Sequence, residues 1–260
     1  MPKAIWLLLL VLPLMGDELG DQLLAATRKG DLATVKQLLD KGADVNTKTR
    51  YDSTPLFFAC ERGYLEVAKL LIERGANLNV KDNFYNATAL SWAMDKKHDA
   101  IVELLIDKGV DPSGALRSSI QNGDKRMFQM VMDRGTLSKP LLDEALTIAL
   151  MAKRDEMAQR LEATGAKKID YPVDAATLDS YAGKYSEGEM NLAITSKDGK
   201  LSVTQGGGTT NLISASKDVF KYLQAGLNFK FNRDASGAIE SVTFNGRGGV
   251  TTLKKEVSSK

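Results

Sequence analysis

Apolar residues in the first two-thirds of the chain recur at helical spacing. Leu32, Val35, Leu38 and Leu39 form one such stripe, with polar and charged residues between them. Leu65, Val67, Leu70, Leu71 and Ile72 form a second, and Ile101, Val102, Leu104, Leu105 and Ile106 a third. A single apolar stripe is the mark of a helix that buries one face. Each stretch runs into a glycine, Gly42, Gly75 or Gly109, where a left-handed residue closes a helix at low steric cost. Shorter helices are predicted ahead of two of them. One begins Thr54-Pro55-Leu56-Phe57-Phe58-Ala59-Cys60, with Thr54 as N-cap and Pro55 at the first helical position. Its counterpart is Thr88-Ala89-Leu90-Ser91-Trp92-Ala93-Met94. Gly30 and Gly63 fall at the turn between paired helices, and Lys97 takes that place in the third pair.

These elements repeat. GDLATVKQLLDKGADVN at 30–46 returns as GYLEVAKLLIERGANLN at 63–79, an offset of 33 residues, and KHDAIVELLIDKGVD at 97–111 follows after 34. A period of this length signals a stacked array. Thr54-Pro55-Leu56, Gly42-Ala43-Asp44-Val45-Asn46 and Gly75-Ala76-Asn77-Leu78-Asn79 resemble the ankyrin repeat motif, with Phe57 and Ser91 where that family usually has His. The resemblance is strongest over 21–113. Two eroded copies, 116–135 and 142–165, extend it, and a less regular last repeat suits the polar outer face that caps a stack. The resemblance implies a helical solenoid over 20–168 and a protein as partner.

After Ile169 the period changes. A linker is predicted over 169–176, followed by short strand candidates at 190–195, 201–204, 211–214, 219–222, 228–232, 239–244 and 250–254. Turn signals separate them, among them Asp198-Gly199 and Asp234-Ala235-Ser236-Gly237. Phe229 and Phe231 alternate with Lys230, as in a half-buried strand. The expectation is a small antiparallel barrel or strongly curved sheet over 177–255, with 256–260 as a tail. The pattern Leu178-x-x-Tyr181-x-Gly183-x-Tyr185, with Asp198-Gly199-x-Leu201 and Phe229-x-Phe231, resembles the small β-domain appended to β-lactamase-like and penicillin-binding-protein-like enzymes. That likeness implies an accessory domain, sometimes compared with lipocalins, and no fixed ligand. The expected fold class is α + β in two domains, an ankyrin solenoid followed by a small β-barrel.

The N-terminus breaks the pattern. Lys3 precedes an unbroken apolar run from Ala4 to Met15. Its 12 residues fall short of the ~20 that span a bilayer core as a helix. The stretch 1–16 reads as a secretory signal, with cleavage after Gly16 or Gly20. An uncleaved membrane tether and a buried N-terminal segment stay open as alternatives. Export would place the chain in the periplasm or outside the cell. Lys and Arg number 35 against 33 Asp and Glu, a net charge of +2. That balance argues against a nucleic-acid partner. Cys60 is the only cysteine, so no intramolecular disulfide forms.

Candidate chemistry is sparse. His98 is the sole histidine, so neither a multi-histidine zinc site nor several competing triads can be drawn. Ser214-Ala215-Ser216-Lys217 matches a Ser-x-x-Lys pattern, but it lies between strand candidates rather than at a helix start, and its partner motifs are missing. Gly206-Gly207-Gly208 leads into a strand, whereas a phosphate cradle opens a helix. No catalytic residue, metal site or cofactor is expected. Partner contacts are expected on the turns that begin each repeat. Lys48, Arg50, Tyr51 and Asp52 lie on one, and Lys81, Asn83, Phe84, Tyr85 and Asn86 on the next. Arg62, Tyr64, Lys96 and His98 adjoin them at helix ends. Tyr and Arg are enriched at binding hot spots. The competing reading has Phe84 and Tyr85 packing between turns, or Tyr51 or Phe84 docking the β-domain. The expected function is a non-enzymatic adaptor acting outside the cytoplasm. The rival is a β-domain that binds a small apolar ligand or envelope component, with the repeats as scaffold.

Overall fold

A computed structural model describes residues 12–246 and 249–256. The apolar run from residue 4 therefore lies largely outside the described residues. The chain divides into two compact units. One takes in the chain up to Ser119 together with 124–137, and the other takes in 120–123 and 138–260.

The helices come in consecutive pairs: α1 (Leu12–Lys29) with α2 (Leu32–Asp40), α3 (Pro55–Arg62) with α4 (Leu65–Glu73), and α5 (Ala89–Asp95) with α6 (Asp99–Asp107). Then come α7 (Ser113–Asn122) and α8 (Lys125–Arg134), followed by α9 (Lys139–Met151) and α10 (Asp155–Glu162). The capping chemistry is local and follows from sequence. The Thr54 hydroxyl accepts from the Phe57 amide, with Pro55 in the first turn. Thr88 and Ser91 cap reciprocally at the start of α5. Asp31 and Asp124 cap α2 and α8 by accepting from the Thr34 and Met127 amides. Gly42, Gly75 and Gly109 all have positive φ, at 91°, 87° and 83°. Lys97 adopts the same left-handed backbone, φ 58°, where the neighbouring repeats have Gly63 and Gly123, and Lys153 does so between α9 and α10, φ 54°.

The apolar stripes form the core of the first unit. Val35, Leu56, Ala59, Val67, Leu71 and Leu105 are at most 2% exposed. Leu32 departs from its stripe. It opens α2 and is 40% exposed. Polar joints register one repeat on the next. The Asn46 side chain accepts from the Asn77 amide at 2.7 Å and donates to the Gly75 carbonyl at 3.3 Å. Arg74 pairs with Asp40 at 2.7 Å, Arg126 with Asp99 at 2.8 Å and Arg134 with Asp107 at 2.9 Å. Such exposed pairs contribute about 0–1 kcal/mol each, so they tune register more than they hold the stack.

In the second unit, eight antiparallel strands close into a barrel in sequence order, and the last pairs with the first. They are β1 (Gly183–Glu187), β2 (Met190–Lys197), β3 (Lys200–Gln205), β4 (Gly208–Ser216), β5 (Val219–Tyr222), β6 (Leu227–Arg233), β7 (Ile239–Gly246) and β8 (Gly249–Lys255). The seven expected strands are present, and β1 is an eighth. Only Tyr185 of its five residues is buried, so no alternation shows in the sequence. Helix α11 (Ala175–Tyr181) was not expected either. It is a single short segment, capped by Asp174, that buries Leu178 and Tyr181.

Aromatic rings fill the barrel. Tyr181, Tyr185, Phe220 and Phe231 are each at most 2% exposed. Phe231 lies 4.7 Å from Tyr181, 5.7 Å from Phe220 and 5.9 Å from Tyr185, centroid to centroid. An eight-stranded barrel is about wide enough for its own side chains, and here they occupy it. Arg233, Asp218 and Tyr181 form a polar cluster on this core. Arg233 Nη2 donates to Asp218 Oδ1 at 2.6 Å, and the Tyr181 hydroxyl donates to the same oxygen at 2.8 Å. The helical pair α9–α10 belongs to this unit as well. Lys221 on β5 pairs with Glu144 on α9 at 2.5 Å, both largely buried. The Ile169 amide donates to Thr147, and the Tyr171 amide to the Ser214 carbonyl.

Candidate functional site

Two consecutive finger loops, 47–53 and 80–87, carry most of the expected contact residues. Each is shaped from within. In the first, the Thr49 hydroxyl accepts from the Tyr51 and Ser53 amides, both at 3.2 Å. In the second, the buried Asp82 carboxylate accepts from the amides of Phe84, Tyr85 and Ala87. A short polar side chain that replaces backbone partners in this way fixes a turn. Asp52 and Asn86 hold left-handed backbones, φ 58° and 56°, which Asp and Asn tolerate better than most residues.

Asn83 ties the fingers together. Its amide donates to the Tyr51 carbonyl at 3.0 Å. Its side chain donates to the Arg50 carbonyl at 3.3 Å and to Asp52 at 3.2 Å. The tips are thereby held side by side without burying their rings.

A line of rings results. Tyr51 meets Phe84 at 6.1 Å, Phe84 meets Tyr85 at 4.6 Å, and Tyr85 meets Trp92 at 5.6 Å, all edge to face. Trp92 in turn meets the buried Phe57 at 5.4 Å. The line runs from the repeat core to the surface. Phe84 is 67% exposed, Tyr85 61% and Tyr51 43%. Cations flank it: the Arg50 guanidinium lies 4.6 Å from the Tyr51 ring centroid, and Lys96 Nζ lies 5.3 Å from that of Trp92. Lys48 pairs with Asp52 at 3.5 Å.

The structure thus brings Lys48, Arg50, Tyr51, Asp52, Phe84, Tyr85 and Lys96 around one aromatic line. Lys81 and Asn86 are exposed on the second finger. Arg62 is exposed beside Glu61, at 4.0 Å. Tyr64 and His98 sit differently, at equivalent joints between repeats. The Tyr64 ring lies where a Cβ on Gly30 would fall, 2.9 Å away, and the His98 ring lies 2.6 Å from the same position on Gly63. His98 Nε2 is also 3.1 Å from the Glu61 carbonyl. Arg154 makes a third such joint, in the barrel-containing unit, over Gly123.

Two contributors were not singled out in the sequence. Asp82 shapes the second finger, and its signal is an Asp that opens a turn carrying Asn83 and Asn86. Trp92, part of the α5 stretch, is half-buried and links tip to core through Tyr85 and Phe57. Cys60 is fully buried, and burial pushes its thiol up to about 12. A thiol so protonated is a poor nucleophile. Ser214 lies in β4, so Ser214-x-x-Lys217 has no helix N-terminus. Among the described residues no cluster of three or more His, Cys, Asp or Glu is placed to hold a metal ion.

Paired helices stacked at a 33-residue period, with fingers projecting from the pair junctions, define a repeat solenoid. Residues 23–114 match the family model for ankyrin repeats (3 copies). No curated protein matches the chain. The ankyrin stack marks a protein–protein interaction module.

Proposed function

We propose that this chain is an exported, non-enzymatic adaptor that holds a protein partner on the finger surface of its ankyrin stack. The observation that carries this reading is the exposed line Tyr51–Phe84–Tyr85, held rigid by Asp82 and Asn83. Phe84 and Tyr85 are 67% and 61% exposed, although Trp92 lies within ring contact of Tyr85. A large aromatic held out by a fixed backbone loses little entropy on binding, and Tyr and Arg dominate hot spots. Flanking Arg50 and Lys81 favour a partner surface that carries carboxylates beside its apolar anchor, whereas Lys96 is already paired with Asp95 at 2.9 Å.

Export rests on Lys3 and the apolar run behind it. Among the described residues no helix is long and apolar enough to cross a membrane. Both candidate cleavage points fall within α1 of the uncut chain. Gly20 is buried, and a Cβ there would fall 2.5 Å from the Thr47 hydroxyl. That close approach favours cutting after Gly16, which keeps the packed part of α1.

Crosslinking the native compartment, with the wild type and an Arg50→Ala/Tyr51→Ala/Tyr85→Ala variant, tests the reading. The wild type should recover a discrete protein partner that the variant loses by tenfold or more, and its mature N-terminus should be Asp17. An unchanged crosslink in a folded variant would sink the finger surface as the site.

A further inference from the structure

The two fingers are built on one plan. The Thr49 hydroxyl takes the Tyr51 and Ser53 amides, and the Asp82 carboxylate takes those of Phe84 and Ala87. Thr49 and Tyr51 thus stand where Asp82 and Phe84 stand one repeat on. Asp52 and Asn86 hold the matching left-handed positions, at φ 58° and 56°. A third finger is missing. Residues 41–54 join α2 to α3 and residues 74–88 join α4 to α5, but only 108–112 join α6 to α7. That connection is too short for a loop of the same kind. The second finger therefore lacks, on its side toward the third repeat, the neighbour that the first finger has.

The joint between the two fingers shows what such a neighbour supplies. The Tyr51 carbonyl accepts from the Asn83 amide, and the Arg50 carbonyl and Asp52 accept from the Asn83 side chain. The matching groups on the second finger are the Phe84 and Asn83 carbonyls and Asn86. Among the described residues neither carbonyl accepts a hydrogen bond, and Asn86 is exposed. The charge differs as well. In the first finger Lys48 pairs with Asp52 at 3.5 Å. Lys81 matches Lys48, but Asn86 replaces the carboxylate that would compensate it. Lys81 is exposed and has no ion pair among the described residues. The second finger thus combines open acceptors and an uncompensated cation with the exposed Phe84 and Tyr85 rings.

We propose that a turn of the protein partner takes the place of the missing third finger. Its backbone and an Asn-type side chain donate to the Phe84 and Asn83 carbonyls. Its apolar part covers Phe84 and Tyr85, and a carboxylate on it pairs with Lys81. This inference rests on the finger surface being the partner site; it adds which side of the fingers is used and what the partner brings. The hydrogen bonds fix register more than they add affinity, because water satisfies the same carbonyls in the free protein. Burial of the rings supplies the affinity, and the charge supplies selectivity.

A peptide of residues 81–88, closed by a terminal disulfide, is the probe. One form is unaltered, and the other carries Lys81→Glu, which sets a carboxylate opposite Lys81 of the protein. Both are titrated into the full chain and followed by backbone amide NMR shifts. The acidic form should bind saturably, shift the Phe84 and Tyr85 signals, and bind about fivefold more tightly than the unaltered form in low salt. Lys81→Glu in the protein should reverse that order. A chain in which a copy of residues 74–88 replaces 108–112 has the place filled from within. It should bind neither peptide and lose the native crosslink by tenfold or more, with its helical circular dichroism retained. No saturable binding, an unchanged order in Lys81→Glu, or a folded grafted chain that keeps the native crosslink would overturn the inference. If Arg50→Ala/Tyr51→Ala/Tyr85→Ala still loses the crosslink in that case, the finger surface stands and only the third-finger mode falls.

Discussion

At the residue scale, two positions show how local geometry becomes stability. Gly63 has φ 77°, and the His98 ring occupies the space a side chain would need. Gly63→Ala therefore meets two costs, a strained backbone and a clash. We expect a loss of about 2–3 kcal/mol in denaturant unfolding. Adding His98→Ala should recover part of that loss, because only the clash is relieved, and a double-mutant cycle measures the share. Asp218 offers a test through pH. The Arg233 hydrogen bonds, aided by the Tyr181 hydroxyl, hold its carboxyl below the usual carboxylate range. A carboxyl whose folded pKa lies below its unfolded value of ~3.9 contributes full stability above that value. The contribution disappears as pH falls through the folded pKa. Asp218→Asn should cost about 1–3 kcal/mol at neutral pH. The gap from wild type should narrow below about pH 4 in thermal melts taken across pH.

At the scale of elements, the pair α9–α10 is informative. Its sequence reads as an eroded repeat, but its helices share a compact unit with the barrel. Glu144–Lys221, Thr147 with the Ile169 amide, and Tyr171 with the Ser214 carbonyl join the two. A fragment spanning 138–260 should therefore melt cooperatively, and one spanning 177–260 should melt several degrees lower. Equal midpoints would mean that the pair adds nothing to the barrel. The sequence carried the regular elements well because their signals are local. Thr54-Pro55 and Thr88 cap helices through their own neighbours, and the apolar stripes need only a period. It missed β1 because one buried residue in five makes no alternation, and α11 because two buried residues make no stripe. The contact residues were legible as a composition, Tyr and Arg on predicted turns. Their grouping was not. Whether Tyr51 meets Phe84 edge to face, and whether Tyr64 and His98 fill the joints over glycines, depends on how one repeat lies on the next.

At the scale of the whole molecule, two compact units rest on different kinds of pairing. In the ankyrin stack the polar joints run between repeats close in sequence, Asn46 with Asn77 and Arg74 with Asp40. A stack of nearest neighbours loses cohesion gradually when one joint is damaged. The barrel does not. Seven of its eight strand pairings join consecutive strands, and the eighth joins β1 to β8 through Tyr185↔Lys255 and Ser186↔Lys254, extended by the Glu256 amide donating to the Lys184 carbonyl at 2.8 Å. That short seam is the difference between a ring and a ribbon. Removing residues 249–256 would leave β1 and β7 with bare hydrogen-bonding edges, each a template for another chain. Such a variant should elute as dimers and larger species in size-exclusion chromatography, with the ankyrin melting transition little changed. The seam that excludes other copies of the chain is thus also the place where a nick or a frayed terminus would start aggregation.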